Sequence, residues 1–400
     1  MTMREPRVAV VHDWLVTCHG GSERVVAQIL KLFPSADVFT LLENLPEEGR
    51  EFLDGHRVVT SFLNKIPGAR RAHRYLLPLM PCAVESLDVS SYDLILSSSH
   101  AVSKGVLTGP RQLHICYCHS PIRYAWDLQH QYFGEAGLGQ GPRRWLASLT
   151  MHYLRMWDLR TVPGVDAFIA NSGFVARRIE KTYGRQSTVI HPPVNVDDFF
   201  LPPAKDDFYV VVARMVPYKR VGILLSAFEQ LPGRTLMVIG DGPLLKALMK
   251  RAPPNVHMVG GQPFESMRSY LQRARAFLYA AEEDFGIAMV EAQACGTPVI
   301  AFRAGGALET VMDGRTGVFF DEQSPESVVS AIQRFESLES SFSPPAIREH
   351  ALRFSARNFR AEYESFVLRH CLTQEFNSRL REWAESRVAS AIGAVVSAGG

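Results

Sequence analysis

Cysteine is scarce, with six in 400 residues. Cys18, Cys82, Cys295 and Cys371 stand alone, so no disulfide framework is expected and reduced, cytoplasmic thiols are. Cys116 and Cys118 sit in a strand-like run flanked by His114 and His119. Structural zinc uses C-x2-4-C pairs twice over, a spacing absent here, so no bound metal is expected. Charge of one sign is lacking too: 43 Lys+Arg face 41 Asp+Glu, a net +2. So small a charge does not by itself drive nucleic-acid binding, and no nucleic-acid partner is expected. No apolar run approaches the roughly 18 residues of a membrane-spanning helix. The stretch holding Arg4, Glu5 and Arg7 has no signal-peptide apolar region. A cytoplasmic chain is expected, free in solution or touching the inner face of the cell membrane without crossing it. There is no G-x-S-x-G hydrolase elbow. There is also no D-x-D pair, which weakens a metal–nucleotide-sugar site built on two clamped carboxylates. Apolar residues at 46% and charged residues at 21% exclude disorder, collagen and coiled coil.

What is present is alternation. Short apolar runs, such as Val8–His12, Leu94–Ser98, His114–Cys118, Tyr209–Ala213, Leu236–Ile239 and Val299–Ala301, alternate with amphipathic helical stretches. Continuous apolar strands suit parallel sheets covered on both faces, so α/β doubly wound units are expected. Between residues 22 and 33, Val25, Val26, Ile29, Leu30 and Phe33 form one helical stripe, with Ser22 as the expected N-cap. Proline pairs at 192–193 and 202–203 mark a boundary, with a fresh strand just after it. Length gives a prior of two to three domains at about 150 residues each. The expected division is 1–198, 199–360 and a helical tail 361–400, whose small-residue end from Val388 is expected to fray. Two such domains facing each other would bind ligand at the carboxyl ends of their strands.

Four segments carry candidate chemistry. His12-Asp13-Trp14 and Gly20-Gly21-Ser22-Glu23 follow the first strand; paired glycines before a helix bring backbone N–H groups to an anion, or serve a tight turn. Arg214, Lys219 and Arg220 follow the strand Tyr209–Ala213 and suit a diphosphate, or a solvated helix start. Gly240-Asp241-Gly242-Pro243 resembles a dinucleotide fingerprint, but Leu245 stands where the third glycine belongs, which argues against a dehydrogenase. Glu282-Glu283-Asp284-Phe285-Gly286-Ile287 leads to Glu291, eight positions beyond Glu283. Within one helix that spacing separates Cα atoms by about 12 Å, too far for a retaining glycosidase pair at roughly 5–5.5 Å. A strand-to-helix turn between them would let both line one cleft at different depths. His119 ends a strand and is the leading histidine; His100 is a weaker candidate and His191 reads as structural.

Together, Glu283-x7-Glu291, Arg214 with Lys219, Gly240-Asp-Gly-Pro243, Ala170-Asn171-Ser172 and Gly305-Gly306-x-x-Glu309 resemble the retaining glycosyltransferases of family 4. Val11-His-Asp-Trp14, Tyr117–Asp127 and Val189–Val194 resemble a narrower branch, the bacterial GDP-mannose-dependent mannosyltransferases of O-antigen and exopolysaccharide assembly. The resemblance implies the GT-B fold, two Rossmann-like domains facing across a cleft, with carboxyl-terminal helices crossing back to the first. The first domain would bind acceptor and the second the nucleotide sugar. Arg214 and Lys219 would hold the donor diphosphate, Glu283 would meet the transferred sugar and Glu291 the ribose hydroxyls. Gly20, Gly21, Gly240, Phe285, Gly286 and Ile287 would line the donor, and His119 would lie beside the reacting sugar. The chain departs from the family at Arg220, commonly glycine, and at Asp284, frequently glycine.

Two cations on a diphosphate stabilise the leaving group without a metal, so no cofactor is expected beyond the donor substrate. With no second carboxylate placed as nucleophile, same-face attack is expected, the departing phosphate oxygen taking the acceptor's proton. The acceptor is expected to be a glycan or a lipid-diphosphate-linked oligosaccharide. Arg70-Arg71-Ala-His-Arg74, Arg143-Arg144-Trp145 and Arg155-Met-Trp157 fit a peripheral membrane contact, or solvated faces over core helices. A UDP-sugar donor, a nucleotide-sugar epimerase and a non-catalytic nucleotide-sugar-binding protein remain the alternatives.

Overall fold

The computed structural model describes residues 5–17, 20–69, 73–135, 137 and 139–398. The chain divides into two units, Met1–His191 with Phe359–Gly400, and Pro192–Asn358. The first cut lies seven residues before the expected one because the proline-flanked segment is packed. Val194, Val196 and Phe199 are buried in the core of the second unit. The Val194 N–H donates to the Phe354 carbonyl at 2.9 Å, and Arg348 donates to the carbonyls of Phe199 and Val196.

The first unit is built on β1 (Val8–His12), β2 (Asp37–Thr40), β3 (Val58–Thr60), β4 (Leu94–Ser99), β5 (Leu113–Cys118), β6 (Ala167–Ala170) and β7 (Ser187–Val189). Their order is β3-β2-β1-β4-β5-β6-β7, every pair parallel. β1, β4 and β5 are buried along their whole length; Val8–Val11 and Leu94–Leu96 form the apolar runs this demands, while Ser97, Ser98, Ser99 and His114 are buried polar residues of β4 and β5. The helix Gly21–Leu32 buries Val25, Val26, Ile29 and Leu30, and its N-cap is Gly20 rather than Ser22. Ser22 instead lies in the first turn, its hydroxyl donating to Glu23 at 2.8 Å. The helices Ala356–Leu372 and Ser378–Ala398 return to this unit. Phe359, Tyr363, Phe366 and Trp383 join the core of β1 and the first helix, and Arg379 pairs with Asp93 at 2.9 Å. The final helix runs to Ala398, so residues 388–398 of the stretch expected to fray are helical. Its alanines, the strongest helix formers, account for that.

The second unit is built on β8 (Tyr209–Val212), β9 (Leu236–Ile239), β10 (Val256–Gly260), β11 (Ala276–Tyr279), β12 (Val299–Phe302) and β13 (Gly317–Phe320). Their order is β10-β9-β8-β11-β12-β13, again all parallel. Phe277 and Tyr279 belong to one core cluster, while Ala276 and Leu278 belong to the other. This period-2 alternation shows that helices cover both faces. In the first sheet the strand order reverses between β1 and β4; in the second it reverses between β8 and β11. Open α/β sheets bind ligands at the carboxyl ends of the strands beside such a reversal.

Candidate functional site

In the second unit β8 runs into the turn Pro217–Lys219, then Arg220 and the helix Val221–Glu229. The Lys219 ammonium donates to the Glu283 carboxylate and to the Tyr279 hydroxyl at 2.7 Å. Since β8 and β11 are neighbours, this pair spans the strand-order reversal. Burial disfavours the ammonium, but Glu283 and the Tyr279 and Tyr218 rings outweigh it, so the Lys219 pKa lies above the ordinary lysine value. Lys219 is therefore a fixed cation at neutral pH. Arg214, on the same loop, is exposed. Among the described residues no side chain or backbone group pairs with its guanidinium. Arg220 adopts φ +55, one of two non-glycine residues with positive φ among the described residues. That conformation costs roughly 1–2 kcal/mol for a residue with a Cβ, which gives the family's glycine at this position a physical reason.

Two glycines hold these loops together. A Cβ on Gly240, at φ +133, would lie 1.9 Å from the Ala213 carbonyl oxygen. The loop after β9 thus packs backbone to backbone against the Arg214 loop, where the Met215 N–H donates to Asp241 O at 2.9 Å. Gly305, at φ +61, leaves 2.2 Å between such a Cβ and the Glu283 carbonyl, and the Gly306 N–H donates to that carbonyl at 2.7 Å. Phe285 is buried, its ring edge-on to Phe354 at 5.4 Å, so only its backbone is left to meet a ligand. Gly286 caps the helix Ile287–Ala294, and half-buried Ile287 is its first residue. Glu291 lies in that helix, buried at 5% exposure. The turn expected between Glu283 and Glu291 is present.

In the first unit Asp13 is fully buried beside the β1–β4 reversal. One of its oxygens accepts the N–H groups of His100 (2.7 Å) and Ala101 (3.0 Å), the other those of Val102 (2.6 Å) and Ser103 (2.7 Å). Burial raises the Asp13 pKa, but His100, His12 and these amides outweigh it, so it stays a carboxylate. It clamps the loop after β4 to the end of β1. His119, at the end of β5, places Nε2 2.8 Å from the Ser98 hydroxyl, and its carbonyl accepts from Asn171 Nδ2 at 2.9 Å. Burial, with His100 and His12 nearby, pushes its pKa down to about 3, so the ring is neutral at physiological pH. Gly20 and Gly21 do begin a helix, but a carboxylate already occupies its end. A Cβ on Gly20 would lie 2.1 Å from Glu23 Oε2. Glu23 accepts from Thr17 at 2.9 Å and lies 4.0 Å from His12 Nε2.

Several contributors were not singled out from sequence. Tyr279, the polar end of an otherwise apolar strand, holds Lys219, and Ser98 in the Ser97–Ser99 run holds His119. The buried pair of Lys104 Nζ and Asp158 Oδ1, at 2.8 Å, left no sequence signal because 53 residues intervene between its members. Ser172 accepts from the Val175 N–H at 3.1 Å, so it caps the helix Gly173–Tyr183. Of the basic–aromatic segments, residues 70–72 lie outside the described residues, as does Cys18. Trp157 is a core residue, its Nε1 donating to Glu85 at 2.8 Å, and Arg155 is turned inward to the Ala125 carbonyl at 2.7 Å. That pair is a packed helix face rather than a surface patch.

Residues 19–198 match the family described as Glycosyltransferase Family 4, and residues 196–357 match Glycosyl transferases group 1. One relative is the GDP-mannose-dependent alpha-(1-6)-phosphatidylinositol monomannoside mannosyltransferase of Mycolicibacterium smegmatis, 29% identical over 52% of this chain and 66% of its own length. Another is the D-inositol 3-phosphate glycosyltransferase of the same species, 28% identical over 50% of this chain and 51% of its own. The chain thus spans from about half to just under two thirds of the length of these relatives. Among solved structures, sucrose-phosphate synthase from Thermosynechococcus elongatus superposes with a TM-score of 0.68 at 20% identity, covering 91% of this chain and 98% of that one. Anabaena HepE in complex with UDP and glucose does so at 0.67 and 17% identity, covering 90% and 99%. At these identities the likeness establishes the fold, the paired parallel α/β units of the GT-B class. The chain belongs to the glycosyltransferases, a Family 4 segment followed by a group 1 segment accounting together for residues 19–357.

Proposed function

We propose that the chain is a retaining glycosyltransferase that moves a hexose from a nucleoside-diphosphate donor, best supported as mannose from GDP-mannose, to a glycan or lipid-diphosphate-linked acceptor at the cytoplasmic face of the membrane. One observation carries this reading: the Lys219–Glu283 pair at the strand-order reversal of the second unit, on the loop that also carries Arg214, whose guanidinium has no partner among the described residues. A diphosphate offers Arg214 a bidentate partner and Lys219 a second anion, which stabilises the charge that builds as the glycosidic oxygen departs. Glu283 then faces the hexose, and Glu291 the ribose. The departing phosphate oxygen takes the acceptor hydroxyl's proton as that hydroxyl attacks the same face of the anomeric carbon. The choice of GDP-mannose rests on the relative named for it.

The test is a panel of GDP- and UDP-sugars scored by thermal shift, slow hydrolysis and transfer. A donor at 100 times its dissociation constant stabilises the protein by about 2.7 kcal/mol. GDP-mannose is expected to give the largest shift, and transfer product is expected to keep the donor's anomeric configuration by NMR. A UDP-sugar giving that shift would reassign the base. Free epimer released from donor alone would make the chain an isomerase, and binding without any turnover would make it a carrier. No shift with any nucleotide sugar would end the reading.

A further inference from the structure

The helix Pro142–Arg160 in the first unit has two apolar faces, and only one is used. Met151, Leu154 and Trp157 are buried against the unit. Trp145, Leu146, Leu149, Tyr153, Met156 and Leu159 are exposed, Trp145 by 69% and Met156 by 55%. At 100° per residue these six fall within an arc of about 140°, a continuous apolar stripe opposite the packed one. Scattered exposed apolar residues need no account, but a stripe of this kind marks an interaction surface.

The charges around it indicate what it meets. The first helical turn holds Arg143 and Arg144 and no acid, although cations at a helix N-terminus oppose the helix dipole. Helix stability therefore does not explain them. Arg160 stands at the far end and reaches Glu85. The helix's own acidic residue, Asp158, is buried against Lys104, so the exposed surface of the helix bears cations alone. A tryptophan and leucines edged by arginines match a headgroup layer carrying negative charge over an acyl region. A second copy of the chain would bring the same arginines against each other.

We infer that the exposed face of Pro142–Arg160 is a docking surface for an anionic lipid bilayer, on which the helix lies in the plane of the interface. This stands apart from the donor chemistry, because it uses other residues and its test needs no turnover. The full chain is floated with vesicles of phosphatidylcholine alone and of phosphatidylcholine mixed with phosphatidylglycerol. Binding to the mixed vesicles is expected, weakened by salt, with little binding to phosphatidylcholine. Arg144 is half-buried over the Phe133 ring, so the charge test falls on exposed Arg143: replacing it by alanine should lower the partition coefficient about 5-fold, from about 1 kcal/mol per arginine, and Leu149→Glu should abolish binding. Far-UV circular dichroism and melting of these surface variants should match the parent. Acyl-brominated lipid should quench tryptophan fluorescence in the parent and not in Trp145→Phe. Absence of binding to mixed vesicles, or binding unaltered by Leu149→Glu, overturns the inference. So does a concentration-dependent dimer that Leu149→Glu dissolves without vesicle binding in the parent, which would give the face to a second copy.

Discussion

Replacing Glu23 by glutamine should cost the first unit stability in a pH-dependent way whose shape follows from the site. The side chain is 5% exposed and accepts hydroxyl hydrogen bonds from Thr17 and Ser22. Burial alone would raise its pKa; His12 and Ser22 outweigh that and hold it at about 2, against 4.5 when free. At 1.36 kcal/mol per tenfold change in proton affinity, the carboxylate contributes on the order of 3 kcal/mol. Because the folded pKa is depressed, this stability is fully present above pH 4.5 and is lost as pH falls through about 2. His12 works in the opposite sense: burial lowers its pKa, but Glu23 and Asp13 outweigh burial and leave it raised above 6.5. Its share is complete below 6.5 and fades as pH climbs through the higher folded value. The parent-minus-variant difference should therefore peak between about pH 4.5 and 6.5 and shrink on both sides. The assay is unusually clean, because all five tryptophans, at 14, 126, 145, 157 and 383, lie in the first unit. Urea unfolding followed by tryptophan fluorescence thus reports that unit alone, where a whole-chain signal would mix two transitions. A difference that stays flat from pH 3 to pH 8, or one below about 1 kcal/mol at pH 6, would refute the reasoning.

Asp158→Asn should destabilise the same unit by about 3–5 kcal/mol, because it leaves the Lys104 ammonium buried beside a neutral amide; tryptophan-monitored unfolding reads it, and a loss under 1 kcal/mol would contradict it. Arg220→Gly should relieve the left-handed strain and stabilise the second unit by about 0.5–1 kcal/mol, the strain relief less glycine's entropy cost. Hydrogen exchange in the helix Val221–Glu229 checks it, and slower protection loss in the parent than in the variant would overturn it.

Strand positions were legible where burial on both faces demanded a run of apolar residues, as in β1, β6, β8 and β9. β3 was not, since three half-exposed residues at a sheet edge carry no such run. The candidate residues could be placed from sequence by their position after strands: Arg214, Lys219 and Glu283 follow strands of the second unit, and His119 one of the first. Their partners could not. Tyr279 and Ser98 matter through contacts made across the sheet, and Asp13 clamps backbone 87 to 90 residues away. Gly20 shows the limit from the other side. Its position before a helix was legible, but the carboxylate folded over it belongs to Glu23 and depends on side-chain geometry. Trp157 and Arg155 look like a basic–aromatic surface pair in sequence, and only the helix's orientation shows that both turn inward.

The central claim is that the cations after β8 hold a diphosphate, and calorimetry with GDP tests it most directly. Arg214 is exposed and unpaired among the described residues, so Arg214→Ala should leave the fold intact. It should weaken GDP binding by about 10- to 100-fold, from roughly 1.5–3 kcal/mol for a charged hydrogen bond, while guanosine, lacking phosphates, should bind poorly to both proteins. Equal GDP affinity in parent and variant, or guanosine binding as tightly as GDP, would contradict the account.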